Sequence, residues 1–185
     1  MVEKRATALL QEEHRLIQRA VAAMVMLADR LETGREVRPE ILRDVVELMR
    51  TLVSDGHEAK EERHLFPVLQ SRGVSLHSVP TRMLVEEHQR GAALVAKLEE
   101  AAAAHVEGTD LSRGPLVESL RGLAALYPLH IWQEDLLLFH MADRVLTSED
   151  DLELIDAYRA VDEAIGGDVR RRLEDLVLRI EKESW

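Results

Sequence analysis

Histidine and glutamate recur at matching places in the two halves of the chain. The string LLQEEHR around His14 is answered by MLVEEHQ around His88, and HEAKEERHLFP from His57 is answered by HIWQEDLLLFH from His130. The two offsets agree to within one residue, which indicates an internal duplication. Each half therefore supplies one isolated histidine and one histidine that is followed four residues later by a glutamate.

Residues four apart share one face of an α-helix, so a histidine and the glutamate after it can bind the same ion cluster. Four neutral imidazoles and two carboxylates that face one cavity suit two metal ions, with two histidines for each ion and the glutamates as bridges. Nitrogen and oxygen ligands without sulfur favour iron, manganese or zinc over copper(I) and iron–sulfur clusters. The candidate metal ligands are His14, His57, Glu61, His88, His130 and Glu134.

These residues fall in four segments with the apolar periodicity of helices. The spacing predicts helices over residues 6–32, 39–65, 83–105 and 115–146. Pro67 is expected to kink or end the second helix, and Pro128 is expected to kink the fourth. Long helices with short connections predict an all-α, up-down four-helix bundle over residues 1–146. Ligand sites in such bundles form from facing side chains in the middle.

Residues 147–185 are expected to form a C-terminal helical extension of the bundle. Ser148 with Asp151 resembles a capping box that starts a fifth helix, and Gly166-Gly167 is expected to divide the segment in two. Apolar residues recur along the segment at helical spacing, so it must cover apolar surface. Either it packs on the bundle or it builds a homodimer interface.

Charge and composition exclude several classes of function. The chain has 24 Lys plus Arg against 35 Asp plus Glu, a net charge of −11 that repels phosphate backbones and anionic lipid. The lack of cysteine excludes disulfides and thiolate metal sites and fits a reducing compartment. No apolar run is long enough for a membrane span or a signal-peptide core. We therefore expect a cytoplasmic protein with no nucleic-acid or membrane partner.

The strings HEAKEERHLFPVL, MLVEEHQRG and HIWQEDLLLF resemble the hemerythrin-like (HHE) cation-binding domain family, over about residues 6–146. The resemblance implies a four-helix bundle that holds a carboxylate-bridged, non-haem di-iron centre on the six candidate ligands. Iron-sensing members of the family suggest Glu58, next to His57, as an additional carboxylate ligand, and the sequence leaves this alternative open.

The sequence departs from the oxygen-carrying hemerythrins at two places. The carriers have a second histidine on the third helix, but here Leu84 and Ala92 lie one turn either side of His88, and neither can bind a metal. The carriers' fourth-helix carboxylate corresponds to Asp135, whereas the internal symmetry of this chain favours Glu134.

Other polar residues near the motifs have alternative interpretations. Tyr127 either donates a hydrogen bond at the cluster or packs beside the adjacent proline, and His64 either lies at the rim of the site or is an ordinary surface histidine. Glu13, Glu62 and Glu87 are most simply solvated charges. Each metal-bound imidazole nevertheless needs an acceptor for its second N–H, and the sequence does not name one.

Three functions fit such a site. With fewer histidines than an oxygen carrier, two Fe ions keep open positions for O2, NO or peroxide, which predicts sensing or redox handling of small ligands. The alternative from the enzyme class is peroxide decomposition or another di-iron oxidation. The third is a structural or storage metal, for which zinc or manganese would also serve. The sequence alone does not decide whether the protein is an enzyme.

Overall fold

The computed structural model describes residues 5–75, 79–106, 113–166 and 169–184. Within these ranges the chain is all-α, with no β-strand, and this confirms the predicted fold class. The elements are α1 (Ala6–Glu32), α2 (Pro39–Leu48), π1 (Met49–Glu58), π2 (Glu61–Leu65), α3 (Phe66–Ser71), α4 (Val79–Val106), α5 (Arg113–Gln133), π3 (Glu134–Leu138), α6 (Phe139–Val145), α7 (Ser148–Ala164) and α8 (Val169–Ser184).

Four continuous helices form the bundle: α1, residues 39–71, α4 and residues 113–145. The second and fourth helices widen into π-helical turns where their histidine–glutamate strings lie, a form often found at functional sites. The second helix does not end at Pro67, which lies just after the π-helical turn Glu61–Leu65. Its helical path continues to Ser71.

The third helix begins at Val79, before the predicted start at Met83. Its second residue, Pro80, lies before the predicted start of the helix. A proline is tolerated there because a residue in the first helical turn donates no intrahelical hydrogen bond. The fourth helix remains α-helical past Pro128. Gly108, which is expected to stop the third helix, and Gly167, the second glycine of the tail break, lie outside the described residues.

The predicted cap of α7 was wrong by one residue. Thr147, not Ser148, is the N-cap: its hydroxyl accepts a hydrogen bond from the Asp150 backbone N–H at 3.2 Å, and the Asp150 carboxylate accepts one from the Thr147 N–H at 2.8 Å. Asp151 has a different role, because its side chain accepts a hydrogen bond from the Ala6 N–H at 2.9 Å. The C-terminal segment thus caps the first turn of α1 with a hydrogen bond.

The two tail helices pack on the bundle. Gly166, at φ +100°, follows the end of α7, and α8 then contacts α1 and α2. Leu173 and Ile180 of α8 are buried in the larger of two apolar clusters, and Tyr158 of α7 is buried in the smaller. Much of the apolar surface that suggested a homodimer interface is therefore covered within one chain.

The two apolar clusters occupy opposite ends of the bundle. The larger contains Leu27, Leu48 and Leu123, and the smaller contains Leu10 and Phe139. Along each bundle helix, the histidine strings fall between the segments that belong to the two clusters. A polar layer thus lies across an otherwise apolar core. No described helix has both the length and the hydropathy that crossing a bilayer requires.

Candidate metal centre

Six polar side chains meet in the layer between the two clusters, and we call this group the cage. Its members are between 0% and 3% exposed and come from all four bundle helices. They are the six residues that the sequence repeat singled out: His14, His57, Glu61, His88, His130 and Glu134. They divide into two overlapping groups that could each hold a metal ion, with donor atoms within 4.8 Å of one another in each group.

Glu134 lies between the two groups. Its Oε2 atom is 3.1 Å from Nε2 of His14, and its Oε1 atom is 3.1 Å from Nε2 of His130 and 3.6 Å from Nε2 of His88. One carboxylate thus faces imidazoles from both halves of the chain. This is the arrangement that a bridging ligand requires.

Glu61 spans the cage in the same way. Its Oε1 atom lies 3.8 Å from Nε2 of His57 and its Oε2 atom lies 3.4 Å from Nε2 of His88. The Nε2 atoms of His57 and His14 are 3.0 Å apart. The cage therefore offers a first position beside His14 and His57 and a second position beside His88 and His130.

Each imidazole is held from behind by a carboxylate at Nδ1. Asp135 lies 2.9 Å from His14, Glu13 lies 3.0 Å from His57, Glu62 lies 2.7 Å from His88 and Glu87 lies 2.9 Å from His130. A carboxylate at Nδ1 fixes the tautomer in which Nδ1 donates, which directs the Nε2 lone pair into the cage and makes the imidazole a better ligand.

The interpretation as solvated charges was therefore wrong for Glu13 and Glu87, which are 19% and 13% exposed, whereas Glu62 is 42% exposed and also contacts an imidazole. The duplication contained the signal that would have found these acceptors. Glu13 and Glu87 precede the isolated histidines of the two EEH strings, and Glu62 and Asp135 follow the two cage glutamates. The two phenylalanines of the repeat obey the same symmetry, since Phe139 stacks on His14 and Phe66 stacks on His88.

The electrostatics of the cage favour bound positive charge. Burial alone would lower the pKa of His57, but the charges of Glu61 and Glu13 raise it to about 10. Burial also acts against protonation of His88, yet the nearby Glu134 and Glu61 raise its pKa to about 12. Burial would raise the pKa of Glu134, but the surrounding imidazoles hold it well below its usual range.

The donor atoms fit a cation. Among the described residues, six atoms that face into the cage lack a hydrogen-bond partner: both carboxylate oxygens of Glu61, both of Glu134, and Nε2 of His88 and of His130. Buried polar atoms without partners cost free energy, and a buried carboxylate costs more than a neutral group. Metal coordination would satisfy all six atoms at once.

Comparison with known proteins gives the same assignment. Residues 5–142 match the family described as the hemerythrin HHE cation binding domain. The chain belongs to this family. The cage lies wholly within the matched residues, and the HHE domain of this chain is thus a cation-binding bundle with two helices added after it.

The HHE domain also has relatives in mycobacteria. Uncharacterized proteins of Mycobacterium bovis and of Mycobacterium tuberculosis strains H37Rv and CDC 1551 are each 22% identical to it over 149 residues. The matched region is 80% of this chain and 58% of each relative, so the chain spans little more than half the length of these curated relatives. No solved structure matches the chain.

The residues that distinguish this HHE domain from the oxygen carriers have clear positions. Leu84, one turn from His88, is buried in the smaller apolar cluster, so it contributes no ligand. Asp135 supports His14 from outside the cage, while Glu134 lies inside it. His64 lines a shallow surface pocket against α7, outside both groups of metal-binding atoms.

Tyr127 and Glu58 form a buried pair beside the cage. The Tyr127 hydroxyl donates a hydrogen bond to Oε1 of Glu58 at 3.3 Å, and its ring lies edge-on to the ring of His130. Glu58 belongs to neither group of metal-binding atoms. Burial raises the pKa of Glu58 despite the opposing charges of nearby histidines. The structure thus places Glu58 opposite a tyrosine rather than among the donor atoms that converge in the cage.

Proposed function

We propose that this HHE domain holds two iron ions in the cage and that O2, NO or peroxide binds at them, in sensing or in redox handling of these small molecules. The observation that carries the proposal is the convergence of four imidazole Nε2 atoms on two glutamates whose oxygens lack other partners. Family membership supports cation binding, and the donor set of nitrogen and oxygen supports iron.

Each position in the cage would have two imidazole nitrogens and one oxygen from each bridging glutamate. His14 and His57 would bind one ion and His88 and His130 the other, while Glu61 and Glu134 would link them. Iron accepts more ligands than this set provides, and the leucine at position 84 adds none. When bound, the ions would supply open coordination positions and electrons for a diatomic ligand or peroxide.

The surrounding side chains would hold and orient this centre. The four Nδ1 carboxylates keep each imidazole in its metal-binding tautomer, and the two apolar clusters exclude bulk water from above and below the polar layer. A small ligand would therefore enter a nearly dry site in which the metals offer the main favourable contact.

Elemental analysis of chain purified from iron-supplied cells tests the proposal. We expect close to two iron ions per chain and a strong reduction in the variants H57A and H130A, each of which removes a donor from one position. The matched control H64A changes a neighbouring histidine outside the cage and should retain the iron. Addition of NO or peroxide should then change the near-ultraviolet and visible spectrum.

Zinc in place of iron under every supply condition, or iron without any spectral response to these ligands, would contradict the proposal. Either result would indicate a metal that only stabilises the bundle. In that case chelation would lower the melting temperature without any other consequence.

A peroxide-decomposing enzyme is the second candidate, and the Tyr127–Glu58 pair favours it. A phenol and a carboxyl group in hydrogen-bond contact can relay a proton within a buried site, which an O2 carrier does not need. An oxygen electrode would detect O2 release on addition of peroxide to the iron-loaded chain. Release that Y127F slows without loss of iron would support this candidate, and absence of release would exclude it.

A further inference from the structure

The two halves of the cage differ at one residue that lies next to a carboxylate supporting an imidazole. Lys60 and Gln133 occupy corresponding places in the repeated strings, each directly before a cage glutamate. Lys60 is 3% exposed, and its ammonium group contacts the carboxylate of Glu13. The corresponding side chain in the second half carries no charge, so only one of the two equivalent supporting glutamates has this buried cation as its neighbour.

The contact belongs to a chain of polar groups that runs from the tail to the cage. Asp162 of α7 lies 2.7 Å from the Lys60 ammonium group, Lys60 contacts Glu13, and Glu13 lies 3.0 Å from Nδ1 of His57. Asp162 is about half exposed, whereas Lys60 is buried. A surface carboxylate of the added C-terminal segment is therefore linked through two intervening side chains, Lys60 and Glu13, to an imidazole of the first position.

The charge of Lys60 should weaken cation binding at the first position in two ways. A carboxylate that accepts the Nδ1–H bond makes an imidazole a stronger ligand, and an ammonium group on that carboxylate withdraws part of this effect. The ammonium charge also repels a nearby divalent cation in a medium of low dielectric constant. Asp162 opposes both effects because it partly neutralises Lys60.

We propose that Lys60 makes the two metal positions unequal. It weakens cation binding at the position of His14 and His57 relative to the position of His88 and His130. Asp162 of α7 makes this weakening smaller, because its carboxylate offsets part of the Lys60 charge. The inference rests on the proposed function, since it requires that both positions bind metal. It assigns Lys60 as a positioning residue and gives the C-terminal segment a means to adjust the first position.

Titration of the metal-free chain with cobalt(II), read by its visible spectrum and by competition with a chelator, tests the proposal. We expect two binding steps in the wild-type chain, with the weaker step absent in H57A. K60Q, which places in the first half the residue found in the second, should tighten the weaker step by about tenfold and leave the stronger step in place. K60R, which retains the charge, should bind cobalt as the wild-type chain does.

Two further variants separate an electrostatic role from a purely structural one. D162N removes one of the two carboxylates that contact Lys60 and should loosen the weaker step by a few-fold, opposite in sign to K60Q. If Lys60 only held the helices in place, K60Q and D162N would both loosen cobalt binding. Q133K introduces a cation at the corresponding place in the second half and should loosen the step that H130A removes. Circular dichroism of each variant checks that the bundle remains folded.

The outcomes also separate the two proposals. A wild-type chain that binds no cobalt would end both. Two binding steps of equal affinity, or a K60Q variant that binds more weakly, would overturn the role of Lys60 and leave the dinuclear centre intact.

Discussion

The two halves of the bundle contribute the same types of side chain to the cage and differ in the residues that surround it. Each supplies two histidines, one cage glutamate and two supporting carboxylates. In the second half, Gly91 leaves room for the Tyr127 hydroxyl, since a Cβ at this glycine would lie 2.7 Å from it. The corresponding residues of the first half are Ile17 and Ser54, so a small and a large side chain have exchanged places.

The supporting contacts show how the halves are joined. Glu13 and Glu87 support histidines of their own halves, His57 and His130. The other two supports cross over, because Glu62 of the first half contacts a third-helix histidine and Asp135 of the second contacts a first-helix histidine. Neither half can therefore complete its position alone. The duplication keeps the groups that face the cation, and the surroundings of each position have diverged.

The largest expected effect comes from the ligand that serves both halves. E134A removes the carboxylate that faces imidazoles of both positions, and we expect loss of both ions, with metal affinity reduced by more than about a hundredfold. E61A leaves Glu134 in place and should retain part of the metal. Elemental analysis of the two variants makes the comparison, and equal losses would show that the bridges are equivalent.

The pH dependence of the metal-free chain should distinguish the halves next. The pKa of His57 is raised from 6.5 to about 10 and that of His88 to about 12. A raised pKa stabilises the folded state fully below pH 6.5, and this contribution is lost as the pH rises through the folded-state value. Melting temperatures measured with a chelator should fall by several degrees between pH 6.5 and pH 10, with His57 losing its proton before His88 in NMR spectra. A melting temperature that rises over this range would contradict the assignment.

A smaller effect is expected at the supporting carboxylates. E87Q should lower cation affinity at the second position by about tenfold, because the amide is a weaker acceptor for the His130 N–H. E13Q should cost more at the first position, because it also takes from the buried Lys60 ammonium group one of the two carboxylates that contact it. Chelator competition measures both. An equal or smaller loss in E13Q than in E87Q would show that the charge of Lys60 does not act on the first position.

The smallest expected effect comes from the contact between Gly91 and Tyr127, where the second half has a small and a large side chain in the reverse order of the first half. G91A should destabilise the chain by about 1–2 kcal/mol, because the new methyl group displaces the tyrosine hydroxyl. In a Y127F background the obstruction is gone, and the same change should stabilise by up to about 1 kcal/mol through helix propensity. Urea unfolding of the four chains gives the coupling free energy, and simple additivity would contradict the proposed contact.

Much of the cage could be predicted because its signals are local. Helical spacing and the repeated strings identified the helices and the six side chains that the structure brings together. The supports of the imidazoles were missed because a glutamate on a helix surface has the same local pattern whether it faces water or a histidine of the next helix. Burial of Lys60 was missed for the same reason, since it depends on where α7 packs.

The amino-acid sequence by itself determined the helical class, the family and which residue types could bind a cation, because each depends on periodicity or on motifs within a few turns of helix. The tertiary structure alone decided which carboxylate holds which imidazole, why Glu58 faces Tyr127, and how Asp162 reaches the cage through Lys60. These contacts join residues far apart in the chain. They depend on the rotation and relative height of packed helices, which no local pattern specifies.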